Sequence, residues 1–451
     1  MSLTFRGGVH PKGHKELSCQ LPLTRYVTKG EIVLPLSHGI GKPAKAVVKK
    51  DDPVLVGQIV AEADGFISAN VASSCSGKVK AIERRRTISG AMAECIVIEN
   101  DGKYTMAEGV GVHDDVDNLS AQEIIARVKN AGIIGLGGAG FPTHVKLAPK
   151  DPSAIKYIIA NGAECEPYIT CNDQLMRSDA DGILEGLEII LRLFPNAEGI
   201  VAIEDNKPEA IEAMQKGVAK LASTCRIRVL ALPAKYPQGG ERSLIQVIAG
   251  VNFPVSKLPA DVGCIVDNVG TIYAIGRAVA YNEPLYTHVL TVTGEGIQNP
   301  ANLIVSDGTL VSELVENCGG LKDGVKKVLA GGPMMGIAMS TLDVPVIKTT
   351  NAVTVLMEDG VEKAEEQMTN CLHCGRCTTV CPQGLLPQTM ADAIDLGNYE
   401  RFEKKLYGLE CIACGSCTYV CPAKRPLTQM FKQAKAEIMA QKRAMAAGGG
   451  K

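Results

Sequence analysis

Tryptophan is absent from the 451 residues, and phenylalanine and tyrosine contribute only 7 and 11. Surfaces that bind single-stranded nucleic acid stack bases on aromatic rings, so no nucleic acid partner is expected. An excess of one charge is missing too. Lys and Arg number 47 against 49 Asp and Glu, which offers a polyanion nothing to hold. No run approaches the roughly 18 apolar residues of a membrane helix. The most apolar runs, such as residues 329–342, are short and broken by glycine. The opening MSLTFRGGVHPKGHKE carries no apolar signal segment. The expectation is a chain without a direct membrane span, soluble or attached to a membrane through partners. His10, His14, His38, His113, His144, His288 and His373 show no ligand spacing among themselves and read as surface or core residues.

Cysteine is plentiful, with 16 residues. Eight form two runs, Cys371, Cys374, Cys377, Cys381-Pro382 and Cys411, Cys414, Cys417, Cys421-Pro422. This is the bacterial ferredoxin spacing, twice. Closely spaced cysteines can turn several thiolates toward one small iron–sulfide cluster, and the Cys-Pro thiolate serves the other cluster in two-cluster ferredoxins. The expected [4Fe–4S] ligand sets are therefore Cys371, Cys374, Cys377 with Cys421, and Cys411, Cys414, Cys417 with Cys381. Zinc needs one tetrahedral set and no Cys-Pro signature. His373 reads as tuning its cluster, because four thiolates suffice. Cys19, Cys75, Cys95, Cys165, Cys171, Cys225, Cys264 and Cys318 show no pairing pattern and read as reduced thiols.

About three or four domains are expected at this length. Residues 1 to about 110 read as β, with short apolar runs at 31–34, 46–48, 59–61 and 96–98 between Gly, Pro and Asp. Residues 53–58 and 73–79 look like a barrel-sandwich hybrid of the lipoyl or biotinyl type. The turn around 63–66 has no Lys to modify, so the barrel reads as structural. From residue 120 helices and strands alternate. Ser120 and Glu123 form a capping box; strands are expected at 155–160, 199–203 and 226–232, and helices at 180–193, from Pro208, at 244–249 and at 272–280. Such alternation argues for a mostly parallel, Rossmann-like sheet. Residues 287–320 suggest a small β-grasp unit, and 388–406 are helical in composition. Met334, Met335 and Met339 read as core fillers.

Three loops carry candidate chemistry. Gly135, Gly137, Gly138 and Gly140 let a backbone approach a phosphate or flat ring, although tight turns use the same residues; Lys146 then offers a positive charge. Asn161, Glu164 and Glu166 follow a strand, where ligands of α/β sheets bind, or form a solvated loop. Tyr236 and Gly239 occupy the corresponding place after a later strand, and the three loops are expected to converge on one crevice.

These loops, with Phe141 and residues 267–271, resemble the FMN- and NADH-binding subunit of respiratory complex I. With the barrel, the β-grasp unit, the double cysteine run and the opening Phe5-Arg6-Gly7-Gly8, nearly the whole chain resembles the C-subunit family of Rnf complexes, membrane-bound ferredoxin:NAD+ oxidoreductases. The resemblance implies a multidomain α/β chain: a barrel-sandwich hybrid over 1–115, a Rossmann-like FMN/NADH domain over 116–285, a β-grasp SLBB-like module over 286–345, a linker over 346–366, an α-helical ferredoxin domain with two [4Fe–4S] clusters over 367–435 and a frayed tail over 436–451. It implies that Gly135, Gly137, Gly138 and Gly140 hold FMN and its phosphate with Lys146. Asn161 and Glu164 would hydrogen-bond FMN, Glu166 would face the nicotinamide, Phe141 would stack on the adenine, and Tyr236, Gly239 and Asn268 would complete the pocket. The chain departs from complex I at Ala163 (Asp there), Cys165 (Gly), Gly240 (acidic) and Leu147 (Trp).

The implied activity is electron transfer between two [4Fe–4S] clusters, FMN and NAD(H). Clusters exchange single electrons and NAD(H) exchanges a hydride, so a flavin able to do both is required between them. The implied partners are the other redox and membrane subunits, especially a ferredoxin-like Fe–S subunit, at the cytoplasmic face of the membrane. Ion translocation falls to the membrane subunits. Two other readings fit parts of the sequence: a soluble flavin/Fe–S reductase for another acceptor such as cobalamin, against which the barrel argues, and a flavin-free electron relay. Cys165 beside Glu166 reads as packing rather than as a redox thiol.

Overall fold

A computed structural model describes residues 3–221 and 226–448; Cys225 and the last residues of the expected tail lie outside them. The chain forms two compact units, neither contiguous in sequence. One contains Gly13–Leu232 and Pro259–Glu358, the other Met1–Lys12, Pro233–Leu258 and Asp359–Lys451.

The larger unit is built around four parallel strands in the order Ile227–Leu232, Glu198–Glu204, Tyr157–Gly162, Cys264–Asn268. Covered on both faces, its central strands are apolar without alternation: Ile158, Ile159, Ala160, Ile200, Val201 and Ile203 are all fully buried. The order reverses between Tyr157–Gly162 and Cys264–Asn268. That reversal opens a crevice at the carboxyl ends of the two strands. Helix Ala121–Asn130 begins with the expected capping box, Ser120 accepting from the Glu123 N–H and the Glu123 carboxylate from the Ser120 N–H. Helices Ala180–Leu191 and Val269–Ala280 cross so closely that a Cβ on Gly186 would stand 2.0 Å from the Ile272 carbonyl oxygen.

The β-grasp-like module is a six-stranded sheet ordered Leu23–Arg25, Ala301–Ser306, Thr287–Thr293, Ala352–Leu356, Lys327–Ala330, Ile337–Ala338. Two expectations change here. The linker over 346–366 contains Ala352–Leu356, a central strand parallel to Thr287–Thr293 and antiparallel to Lys327–Ala330, and helix Gly360–Gln367. A five-residue buried strand looks like any short apolar run, so only its partners reveal it. Leu23–Arg25, assigned to the barrel, pairs instead with Ala301–Ser306. The barrel-sandwich module follows, with sheets Ile32–Pro35, Met92–Asn100, Gly77–Arg86, Pro53–Val54 and Lys45–Ala46, Ile59–Glu62, Val71–Ala72. Its core gathers Ile32, Leu34, Val60, Val79, Ile96 and Ile98.

In the smaller unit the two cysteine runs fold as a structural repeat. Helix Arg376–Thr379 then Pro387–Asp395 is matched by Ser416–Tyr419 then Leu427–Gly448. The last helix is continuous through residue 448, so the tail expected over 436–451 begins as helix, and Ala434 and Ile438 are buried with Phe402 and Phe431. The methionine expectation fails for Met335, which is 47% exposed at a hairpin tip.

Gly186→Ala forces a Cβ against backbone rather than against a movable side chain. It should destabilise the larger unit by about 1–3 kcal/mol, the range for overpacking, read as a lowered midpoint in thermal unfolding; an unchanged midpoint contradicts the close crossing.

Candidate active site and cluster centres

The glycine loop lies at the amino end of helix Val269–Ala280. The Leu136 N–H donates to Thr271 Oγ1 at 2.9 Å, and the Gly135 N–H donates to the Phe141 carbonyl at 2.9 Å, closing the loop. Gly137 and Gly140 have φ of 73° and 69°, where a side chain is strained. Among the described residues, none but its two chain neighbours stands within 4 Å of a Cβ on Gly138. The loop thus presents bare backbone at the strand reversal, which fits a flavin phosphate or ring. It is braced from behind. The Ile40 N–H donates to the Ala139 carbonyl at 2.9 Å, and a Cβ on Gly39 would meet the Gly140 Cα at 2.6 Å. Buried Lys348 donates to the Gly132 and Asn70 carbonyls at 2.8 and 3.0 Å.

The expected side chains reach this crevice in altered roles. Lys146 is not a free charge: its Nζ donates to the Val266 carbonyl at 2.8 Å and to buried Asp267 at 3.1 Å. Burial raises the Asp267 carboxyl and Lys146 opposes that rise. Asn268 caps helix Val269–Ala280, accepting from the Gly270 N–H at 2.8 Å. Asn161 accepts from the Ala163 N–H at 3.3 Å. Glu164 (φ 49°) accepts from the Asn172 and Asp173 N–H groups at 2.7 and 3.3 Å, at the start of helix Cys171–Ser178. Glu166 accepts from the Met334 N–H at 3.2 Å. Phe141 and Cys165 are half-buried.

Sequence reasoning missed what holds this carboxylate loop. Lys15 Nζ donates to the Glu164, Glu166 and Ile169 carbonyls at 2.9, 3.0 and 2.6 Å. Lys207 Nζ donates to the Ala163 carbonyl at 2.7 Å and pairs with Glu204 at 3.2 Å. His14 stacks on Tyr168 with centroids 4.5 Å apart, and the Tyr168 N–H donates to the Gly13 carbonyl at 2.7 Å. Burial, then the neighbouring Lys207, lowers the Lys15 ammonium. A single lysine in a polar segment carries no local signal of such a role.

Tyr236 and Gly239 belong to the other unit. Tyr236 is buried there, and its hydroxyl donates to the Cys414 carbonyl at 2.8 Å. Within that unit its phenol therefore fastens the second cysteine run. Gly7 and Gly8 hold the end of the first run, whose Cys381 faces the second: the Gly8 N–H donates to the Val380 carbonyl at 2.8 Å, and a Cβ on Gly7 would meet the Cys381 carbonyl oxygen at 2.8 Å.

Cys371, Cys374, Cys377 and Cys421 line one cavity, and Cys381, Cys411, Cys414 and Cys417 line another. The thiols stand around cavities instead of closing on one ion, which suits a multi-iron cluster and not tetrahedral zinc. Each run bends through left-handed residues, His373 (51°) and Gly375 (74°), then Ala413 (53°) and Gly415 (84°). This turns the His373 N–H toward Cys371 Sγ and the Ala413 N–H toward Cys411 Sγ, each at 3.4 Å. His373 acts through its backbone. Burial pushes the Cys417 thiol up to about 12; bound iron supplies the positive charge that keeps such a group a thiolate.

Burial pushes the Glu164 carboxyl up to about 7 from an ordinary 4.5, against the pull of Lys15 and Lys207. Between those values the folded chain holds a proton that the unfolded chain has lost, so this group makes stability fall as pH rises through the window. Glu164→Gln removes that slope. Thermal unfolding should show the variant gaining on the natural protein from about pH 5 to about pH 7.5; a constant difference contradicts the shift.

Four family models match the chain: the RnfC barrel sandwich hybrid domain over residues 3–103, the Nuo51 FMN-binding domain over 128–277, the SLBB domain over 289–338 and the 4Fe-4S dicluster domain over 363–422. A crystal structure of NAD+-reducing [NiFe]-hydrogenase aligns with 68% of this chain and 60% of its own, at 19% identity and a TM-score of 0.49. The C-subunit of the proton-translocating ferredoxin:NAD(+) oxidoreductase complex of Clostridium ljungdahlii is 40% identical, covering 97% of this chain and 94% of the relative. The C-subunit of the Na(+)-translocating complex of Acetobacterium woodii is 41% identical, covering 98% of each. With identity of this order along nearly its whole length, the chain belongs to the C-subunit family of ion-translocating ferredoxin:NAD(+) oxidoreductase complexes, the Rnf complexes.

Proposed function

We propose that this chain is the NAD(H)-reacting peripheral subunit of an Rnf-type complex, carrying electrons between two [4Fe–4S] clusters, FMN and NAD(H). The observation that supports this best is the bare glycine loop beside Asn268, which lies opposite Asn161 at the reversal of the parallel sheet, on the strand that leads into the Glu164–Glu166 loop. Two four-cysteine cavities in the same chain supply the one-electron side. When bound, FMN supplies the chemistry that joins single-electron to hydride exchange.

The chain's own residues bind and orient. The backbone from Gly135 to Gly140 receives the flavin phosphate and ring. Asn161 and Asn268 stand at the crevice; Lys146 contributes through its pair with Asp267. Glu164 holds the amino end of Cys171–Ser178, and so shapes the wall of the crevice. Glu166 faces the nicotinamide and Phe141 the adenine. Cys371, Cys374, Cys377 with Cys421 ligate one cluster; Cys411, Cys414, Cys417 with Cys381 ligate the other. No side chain need act as acid or base, because hydride transfer requires orientation and exclusion of water.

The partners are the redox and membrane subunits of the complex, above all a ferredoxin-like Fe–S subunit, at the cytoplasmic face of the membrane. Among the described residues no helix is long and apolar enough to cross a membrane, and this reading gives ion movement to partner subunits.

Anaerobic purification should yield the chain with iron, sulfide and FMN, and NADH should bleach the flavin absorbance. Clusters without flavin, or flavin untouched by NADH, sink the NADH-reacting role and favour a flavin-free relay. Glu166→Ala should slow flavin reduction by NADH about tenfold or more, the cost of a lost positioning contact, with FMN still bound. Stopped-flow rates equal to those of the natural protein remove Glu166 from the nicotinamide site.

A further inference from the structure

We infer that the glycine-rich hairpin 331–336 of the β-grasp-like sheet is a wall of the nicotinamide site, and that Gly332 and Met334 position the Glu166 carboxylate. The inference rests on the reading that Glu166 faces the nicotinamide.

The hairpin joins strands Lys327–Ala330 and Ile337–Ala338. Its base is fastened: the Gly331 N–H donates to the Ala352 carbonyl at 2.8 Å, and Thr354 Oγ1 donates to the Gly331 carbonyl at 2.9 Å. Its turn is closed by the Gly336 N–H, which donates to the Gly332 carbonyl at 2.8 Å. Gly331 has a φ of 92°, and a Cβ on Gly336 would meet the Gly332 carbonyl oxygen at 2.4 Å. The turn is therefore tightly shaped, and positions 331 and 336 require glycine.

That shape brings the hairpin onto Glu166. The Met334 N–H donates to Glu166 Oε2 at 3.2 Å. Gly332 is buried against the same carboxylate: a Cβ there would stand 2.3 Å from Oε2, 2.9 Å from Cδ and 3.0 Å from Glu166 Cβ. Meanwhile Lys15 holds the Glu166 main chain by its carbonyl at 3.0 Å. Main chain and carboxylate are thus held from separate elements, and the hairpin is the element that meets Oε2. Beside it Met335 and Ile337 are each 47% exposed. An N–H-anchored carboxylate next to exposed apolar side chains suits a ligand with a flat apolar face and a polar edge, as a nicotinamide has.

The test uses the FMN-loaded chain and a double-mutant cycle. Gly332→Ala should raise KM for NADH about tenfold or more while FMN content and the thermal midpoint stay near those of the natural protein. In a Glu166→Ala background, where the side chain it would strike is gone, Gly332→Ala should change KM by less than about twofold. Should Gly332→Ala leave KM unchanged while Glu166→Ala raises it, the hairpin does not position the carboxylate and the inference is overturned. Should Glu166→Ala itself have no effect, the Glu166 reading fails, and with it the positioning role. Amide hydrogen exchange on the unmutated, oxidised protein decides the hairpin independently of folding in any variant. NAD+ should slow exchange over 331–336; unchanged exchange overturns the hairpin's place in the site.

Discussion

Backbone against backbone at Gly39 and Gly140 is the contact on which the crevice depends. A loop made largely of glycine has no side chains to fix its shape and carries a high entropy of disorder. Its order must come from what it is pressed against. The barrel-sandwich module supplies the 38–41 loop on one side, and residues 348–349 lie on the same side, Lys348 bonding Gly132 and Thr349 touching Gly140. Helix Val269–Ala280 supplies Thr271 on another. The N-terminal module, which lacks the lysine of a swinging-arm carrier, thereby acquires a physical purpose. It is a brace for a loop that must stay bare on its other face.

The carboxylate loop faces the opposite problem. It is rich in polar groups and partly buried, so its carbonyls need donors. Lys15 and Lys207 provide them from widely separated parts of the chain, and helix Cys171–Ser178 receives the Glu164 carboxylate. Two of the charges are paired, Lys207 with Glu204 and Lys146 with Asp267. Such matched sites hold geometry firmly because breaking one leaves a charge without solvation. A hydride donor and acceptor react only at close, aligned contact, so firmness of this kind is what the proposed reaction demands of the protein.

The cluster unit solves its geometry by repetition. The same left-handed residues at 373 and 375, then at 413 and 415, bend each run so that backbone N–H groups meet sulfur. Hydrogen bonds to ligand sulfurs are among the levers that set cluster potentials. The two sites differ in cover: Cys374 is exposed and Cys414 buried. Gly7, Gly8 and Tyr236 attach to the second site. Distant segments thus converge on one cavity of the pair.

Much was legible in the sequence because it was local. Cysteine spacing, the Ser120–Glu123 capping box, Pro208 at a helix start and the alternation of helix with strand each depend on neighbours a few residues apart. The cysteine quartets and the four modules could be read that way. What tertiary structure decided was every contact that spans the chain. Strand Leu23–Arg25 joins a sheet whose other strands lie beyond residue 286, because an edge strand is chosen by its partner and not by its own composition. Ala352–Leu356 turned a supposed linker into a sheet centre for the same reason. Lys146 lost its free charge to Asp267, and Lys15 gained three acceptors about 150 residues away. The sequence by itself determined which chemical groups this protein possesses; the fold alone decided which of them are bound to one another and which remain open to a ligand, since pairing of buried polar groups is settled only when distant segments meet.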